Sequence, residues 1–105
     1  MSVCENLEPK EVFRYFEEIS AIPRPSYHEE KISEYLIKFA KDHGLEHYTD
    51  DLHNVIMIKE ASEGCEDAEP VILQGHMDMV CEKDPGVLKD MEKEGLDLYI
   101  DGDFL

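Results

Sequence analysis

The sequence is poor in positive charge: 10 Lys and Arg stand against 26 Asp and Glu, a formal net charge of −16 over 105 residues. Phosphate backbones are bound by cations that displace their counterions, so nucleic acid is a poor partner for this surface, and anionic membranes are disfavoured for the same reason. Acid loading of this kind keeps a protein soluble. Long apolar runs are missing too, and nothing approaches the ~20 residues that a membrane span needs. The start, Met1-Ser2-Val3-Cys4-Glu5-Asn6, has neither the basic nor the apolar stretch of an export signal. That points to a cytoplasmic protein. Cysteine is scarce: Cys4, Cys65 and Cys81 are odd in number, widely spaced and free of any C-x-x-C pair. This excludes a disulfide framework and a structural zinc knot, and reduced thiols are the simplest reading. Cys81 follows Asp78 by three residues but has no assignable activating base, so it reads as packing or loop.

Apolar residues make up 42% of the chain, enough for a core, and the length fits one domain, residues 1–105. Val12, Phe13, Phe16 and Ile19 recur at helical spacing behind Pro9, which predicts a helix over 8–20. Ile22-Pro23-Arg24-Pro25 ends it. Ser26 stands three before Glu29 in a capping-box pattern, Ile32, Leu36, Phe39 and Ala40 predict a second helix, and Gly44 can close it. The period then changes. Asn54 to Lys59 reads as a strand covered on both faces, with Leu45 to Thr49 as its neighbour and Asp50-Asp51-Leu52-His53 as the turn. After an acidic loop over 60–69, Val71-Ile72-Leu73 predicts a second buried-type strand running into His76. Residues 87–94 can form a short helix, 96–100 alternate like a half-buried strand, and Asp101-Gly102 is a hairpin turn. The returning strand has barely begun at Leu105, so the expectation is a chain cut in mid-hairpin. Helices followed by apolar strands indicate an α/β fold.

The chemistry concentrates at Gln74-Gly75-His76-Met77-Asp78. In an extended chain, residues two apart project from one face with Cα atoms ~6–7 Å apart. One nitrogen of His76 can then bind a metal while Asp78 holds the proton on the other, fixing the tautomer and raising ligand basicity. Gly75 lets the backbone bend there. His-x-Asp alone is a weak pattern. A hydrogen-bonded histidine in a turn has the same spacing, and a zinc site needs at least three protein ligands. His28 reads as surface, His43 and His47 as structural residues near a helix end, and His53 as part of a turn. Met77 and Met79 read as packing.

The wider phrasing narrows this. Val71-Ile72-Leu73-Gln74-Gly75-His76-Met77-Asp78-Met79-Val80 resembles the first metal-ligand motif of the co-catalytic zinc peptidases that include aminoacylase and glutamate carboxypeptidase. Three more segments resemble the aminoacyl-histidine dipeptidase branch of that family: Ser20 to Ser26 with His28-Glu29-Glu30, Asp50 to Val55, and Leu98 to Leu105. The resemblance covers most of the chain in the family's order. It implies the N-terminal part of a zinc-exopeptidase-like α/β/α sandwich, truncated after residue 105. It implies His76 as a ligand of one zinc in a two-zinc site and Asp78 as the catalytic-centre carboxylate that orients it. The remaining ligands and the general base would lie beyond Leu105. The implied reaction is hydrolysis of Xaa-His and other dipeptides through a metal-activated water. A related aminopeptidase or carboxypeptidase, and a non-catalytic acidic binding module, remain the alternative readings. An unpaired sheet edge also implies self-association.

Overall fold

The computed structural model describes residues 2–105. Four elements follow in order: helix α1 (Lys10–Ser20), helix α2 (Glu30–Asp42), strand β1 (Glu46–Thr49) and strand β2 (Val55–Ile58). The fold class is α/β, as the patterning predicts. Pro9 stands at the N-cap of α1, and the helix begins one residue later. Arg14 joins Glu11 and Glu18 along the exposed side of α1, where water screens both pairs. The Glu17 carboxylate reaches back to the N-terminal segment and accepts from the Val3 amide (2.7 Å) and the Cys4 amide (3.4 Å). That fold-back buries Cys4, and burial pushes its thiol up from the usual range.

The two helices meet through side chains. The Tyr15 and Phe39 rings pack edge to face at 5.4 Å, and the Tyr35 hydroxyl donates to Glu18 at 2.5 Å. Burial, reinforced by Glu18, holds the Tyr35 phenol well above the usual tyrosine range. Helix α2 lies against both strands and buries Ile32 and Ala40. Burying a side chain the size of Ile32 contributes roughly 1.5–3 kcal/mol.

Strands β1 and β2 form an antiparallel hairpin with Glu46 opposite Ile58 and Thr49 opposite Val55. Its turn is built by Asp50, whose carboxylate accepts from the Leu52 and Asn54 amides and from the Asn54 side chain. His53 completes the turn with φ at +66°, a left-handed backbone that favours glycine.

Several expectations are corrected. The β2 strand is covered on one face only: Val55 and Met57 are half-buried on the strand that α2 packs against, whereas Ile56 and Ile58 are exposed. The predicted strand Val71-Ile72-Leu73 joins no sheet, and its side chains are 82%, 89% and 93% exposed. It runs beside β2 across an open groove, without a neighbour close enough to complete a ladder. The predicted helix over 87–94 is a single closed turn, with the Lys93 and Glu94 amides both bonded to the Asp90 carbonyl. The Asp90 amide donates to the Glu94 carboxylate and the Glu92 amide to the Asp90 carboxylate, and one turn is too short to propagate. Residues 96–100 form no strand either. The Leu96 amide instead bonds the Ser20 carbonyl at the end of α1 (2.7 Å). The hairpin turn at Asp101-Gly102 is present, with Asp101 bridged to Phe104.

Candidate functional site

The site forms where the loop after α1 meets the segment around Asp78. Pro23 and Pro25 hold the loop extended. The Arg24 guanidinium donates to the Ile19 carbonyl (2.9 Å) in the last turn of α1, which also accepts from the Ile22 amide (3.2 Å). The loop then pairs with the chain some fifty residues on. The Met79 amide donates to the Arg24 carbonyl at 2.8 Å, and the Ser26 amide to the Met79 carbonyl at 3.3 Å. Pro25 and Met79 form a parallel bridge. This short ladder fixes the backbone on the C-terminal side of Asp78.

Within it, His76 and Asp78 meet as their spacing predicts. His76 Nδ1 lies 2.9 Å from the Asp78 carbonyl oxygen and 3.0 Å from Asp78 Oδ1. Both partners are acceptors, so the hydrogen-bond network places the proton on Nδ1 and the lone pair on Nε2. The His76 side chain is 83% exposed. Asp78 Oδ2 accepts the Ser26 hydroxyl at 2.5 Å. That hydrogen bond, with a smaller contribution from His76, holds the Asp78 carboxyl below the usual carboxylate range. An apolar cleft of 510 Å³ lies beside these residues, lined in part by Ile19, Leu36, Val55 and half-buried Met77 and Met79. The two methionines thus contribute to the apolar wall, as expected.

The other histidines keep structural surroundings. His28 is exposed. His43 stacks on Phe39 at 4.0 Å and contacts the Phe39 carbonyl through Nδ1, and His47 Nδ1 contacts the Leu45 carbonyl. Cys81 is half-buried and its thiol points to the Met79 carbonyl.

Ser26 is the participant that sequence reasoning missed. Its pattern with Glu29 predicts a capping box, yet α2 is capped at Glu29 with no side-chain hydrogen bond. The Ser26 hydroxyl turns the other way, to a carboxylate 52 residues on. No local signal marks so distant a partner.

The donor set suits one corner of a metal centre. His76 offers an imidazole nitrogen whose companion nitrogen is already held by a carboxylate, the usual arrangement for a ligating histidine. Among the described residues no three His, Cys, Asp or Glu side chains converge into a metal-binding group, and zinc requires at least three protein ligands. These residues could therefore hold a metal only together with others.

No protein-family model matches the chain. Over all of its 105 residues it is 38% identical to the cytosol non-specific dipeptidase of Escherichia coli (strain K12), and it covers 22% of that protein. Its structure matches the crystal structure of aminoacylhistidine dipeptidase from Vibrio alginolyticus with a TM-score of 0.88 at 35% identity. That match takes in 93% of this chain and 20% of the other. The chain thus spans about a fifth of the length of the relatives it matches.

Proposed function

Similarity over all 105 residues of this chain to a cytosol non-specific dipeptidase, of which it spans 22%, is the premise on which we propose that the chain is the N-terminal portion of the catalytic domain of a zinc metallodipeptidase. The observation that carries the proposal is the pairing of His76 Nδ1 with Asp78 at 3.0 Å, which leaves the lone pair on Nε2. In the intact protein His76 would hold one zinc of a two-zinc centre through that nitrogen. Asp78 would keep the ring in the metal-binding tautomer. A bound zinc supplies Lewis-acid polarisation of a peptide carbonyl and lowers the pKa of water. The other ligands and the general base would come from outside these residues. Dipeptides are the substrate class, with Xaa-His dipeptides among them on the strength of the Vibrio relative's name. A cytoplasmic location accords with the E. coli relative's name, and no helix among the described residues is long and apolar enough to cross a membrane.

The test is made on the intact protein. His76→Ala should empty the site of zinc and remove hydrolysis of a Xaa-His dipeptide. Asp78→Ala should cost about 10–100-fold in metal affinity or rate. Unchanged zinc content and unchanged rate in both variants would refute the proposal. The 105-residue chain alone, supplied with zinc, should hydrolyse no dipeptide, because one ligand and one orienting carboxylate cannot hold two metals. Turnover by the chain that His76→Ala abolishes would contradict that expectation.

A further inference from the structure

The geometry points to Ser26 as a positioning residue that sets the ring of His76 by clamping the carboxylate of Asp78. Its consequence for metal binding rests on the dipeptidase reading above; the clamp itself does not.

Three observations converge on it. A carboxylate's terminal torsion is broad and roughly two-fold, so Asp78 has no preferred plane of its own. Here both oxygens are committed in opposite directions, Oδ2 to the Ser26 hydroxyl at 2.5 Å and Oδ1 to His76 Nδ1 at 3.0 Å. With Oδ2 fixed, Oδ1 is held toward the imidazole, whose Nδ1 also meets the Asp78 carbonyl oxygen at 2.9 Å. The loop bearing Ser26 is also tied to the residue after Asp78, through Met79 N to Arg24 O and Ser26 N to Met79 O. The hydroxyl and the carboxylate are thus presented to each other by a ladder.

The residue after Ser26 shows that the loop is held in this shape. Tyr27 has φ at +71°, a left-handed backbone that is costly for a residue with a side chain. Its own ring is 91% exposed, so packing of that ring does not offset the strain. Hydrogen bonds hold it instead, from the Tyr27 amide to Glu29 Oε1 (2.7 Å) and from the His28 amide to the Pro25 carbonyl (2.9 Å). Strain maintained by surrounding contacts is characteristic of sites where geometry matters. Ser26 is thereby turned away from the helix it could cap and toward Asp78.

The test reads the ring nitrogens of His76 by ¹⁵N NMR on the 105-residue chain, with Met79 amide exchange as a control for the ladder. In the wild type the proton should reside on Nδ1. Ser26→Ala should move both ring nitrogens toward the values given by Asp78→Ala while the Met79 amide stays protected. Ser26→Thr, which keeps the hydroxyl, should retain the wild-type values. If the alanine variant loosens the loop, Ser26→Cys, near in size but a weak donor, supplies the same comparison. Wild-type ring nitrogens in the alanine or cysteine variant, or a threonine variant that behaves like alanine, would overturn the inference. In the intact protein Ser26→Ala should weaken zinc binding by about tenfold, at the low end of the range for partners of ligating histidines, and threonine should restore it. If the ring nitrogens respond as expected while the intact wild-type protein holds no zinc and cleaves no dipeptide, the clamp stands and the dipeptidase reading falls.

Discussion

Gly95 lies against the end of α1 so closely that a Cβ built on it would stand 2.3 Å from the Ala21 carbonyl oxygen and 2.4 Å from the Ala21 carbonyl carbon. Both are backbone atoms and neither can swing aside. The approach lets the next residue, Leu96, donate its amide to the Ser20 carbonyl at 2.7 Å, which anchors the C-terminal quarter of the chain to the first helix. Lys89 secures the same junction from the other side, donating to the Gly95 carbonyl (2.6 Å) and to Asp97 (2.6 Å). Gly95→Ala should therefore push the segment off the helix and cost about 1–3 kcal/mol, the usual range for overpacking. Urea unfolding of the two chains, with exchange of the Leu96 amide followed in parallel, checks this. Equal midpoints and an equally protected amide would show that the close approach carries no stability.

A pH dependence follows from the hairpin turn. Hydrogen bonds from the Asn54 side chain, then from the Asn54 and Leu52 amides, hold the Asp50 carboxyl below its ordinary range. A depressed folded-state pKa means that the stabilisation is fully present above the unfolded value of about 3.9 and is lost as pH falls through the lower, folded value. The hairpin should thus hold from neutral pH down to about 4 and loosen below it. Leu52 and Asn54 amide protection across an acid titration measures the effect. Asp50→Asn, which cannot ionise, should flatten the acid-side loss. An unchanged profile in that variant would assign the loss to other carboxylates.

Local grammar made much of this fold legible. The helical spacing of Val12, Phe13, Phe16 and Ile19, the breaks at Pro23 and Pro25 and the acidic turn at Asp50 gave α1, the loop and the β1–β2 hairpin, because each depends on residues close in sequence. His76 and Asp78 meet for the same reason, being two residues apart on an extended chain. What could not be read depends on distant partners. Val71-Ile72-Leu73 has the composition of a buried strand, yet a strand is defined by its neighbour, and none is hydrogen-bonded to it among the described residues. Ser26 carries a capping pattern, yet its hydroxyl is claimed by a residue 52 positions away. The positive φ at His53 and Tyr27 was invisible because neither position holds the glycine that would announce it.

The exposed run Val71-Ile72-Leu73 sets an apolar surface against a strongly acidic background, and the balance between the two is adjustable. The three side chains are 82%, 89% and 93% exposed, and an extended apolar segment with unused backbone groups is a template for pairing with another chain. A net charge of −16 per chain opposes contact between copies. That repulsion is screened over about 30 Å at 0.01 M salt but over only about 3 Å at 1 M, whereas burial of apolar surface is not weakened by screening. The 105-residue chain should therefore sediment as a monomer at low ionic strength and associate as salt and concentration rise. Ile72→Lys, which places a charge in the middle of the run, should suppress association at every salt concentration while leaving the β1–β2 hairpin intact. Sedimentation velocity at low and high salt for both chains decides it: if the wild type remains monomeric in high salt, or the lysine variant associates equally well, this segment is not the contact surface.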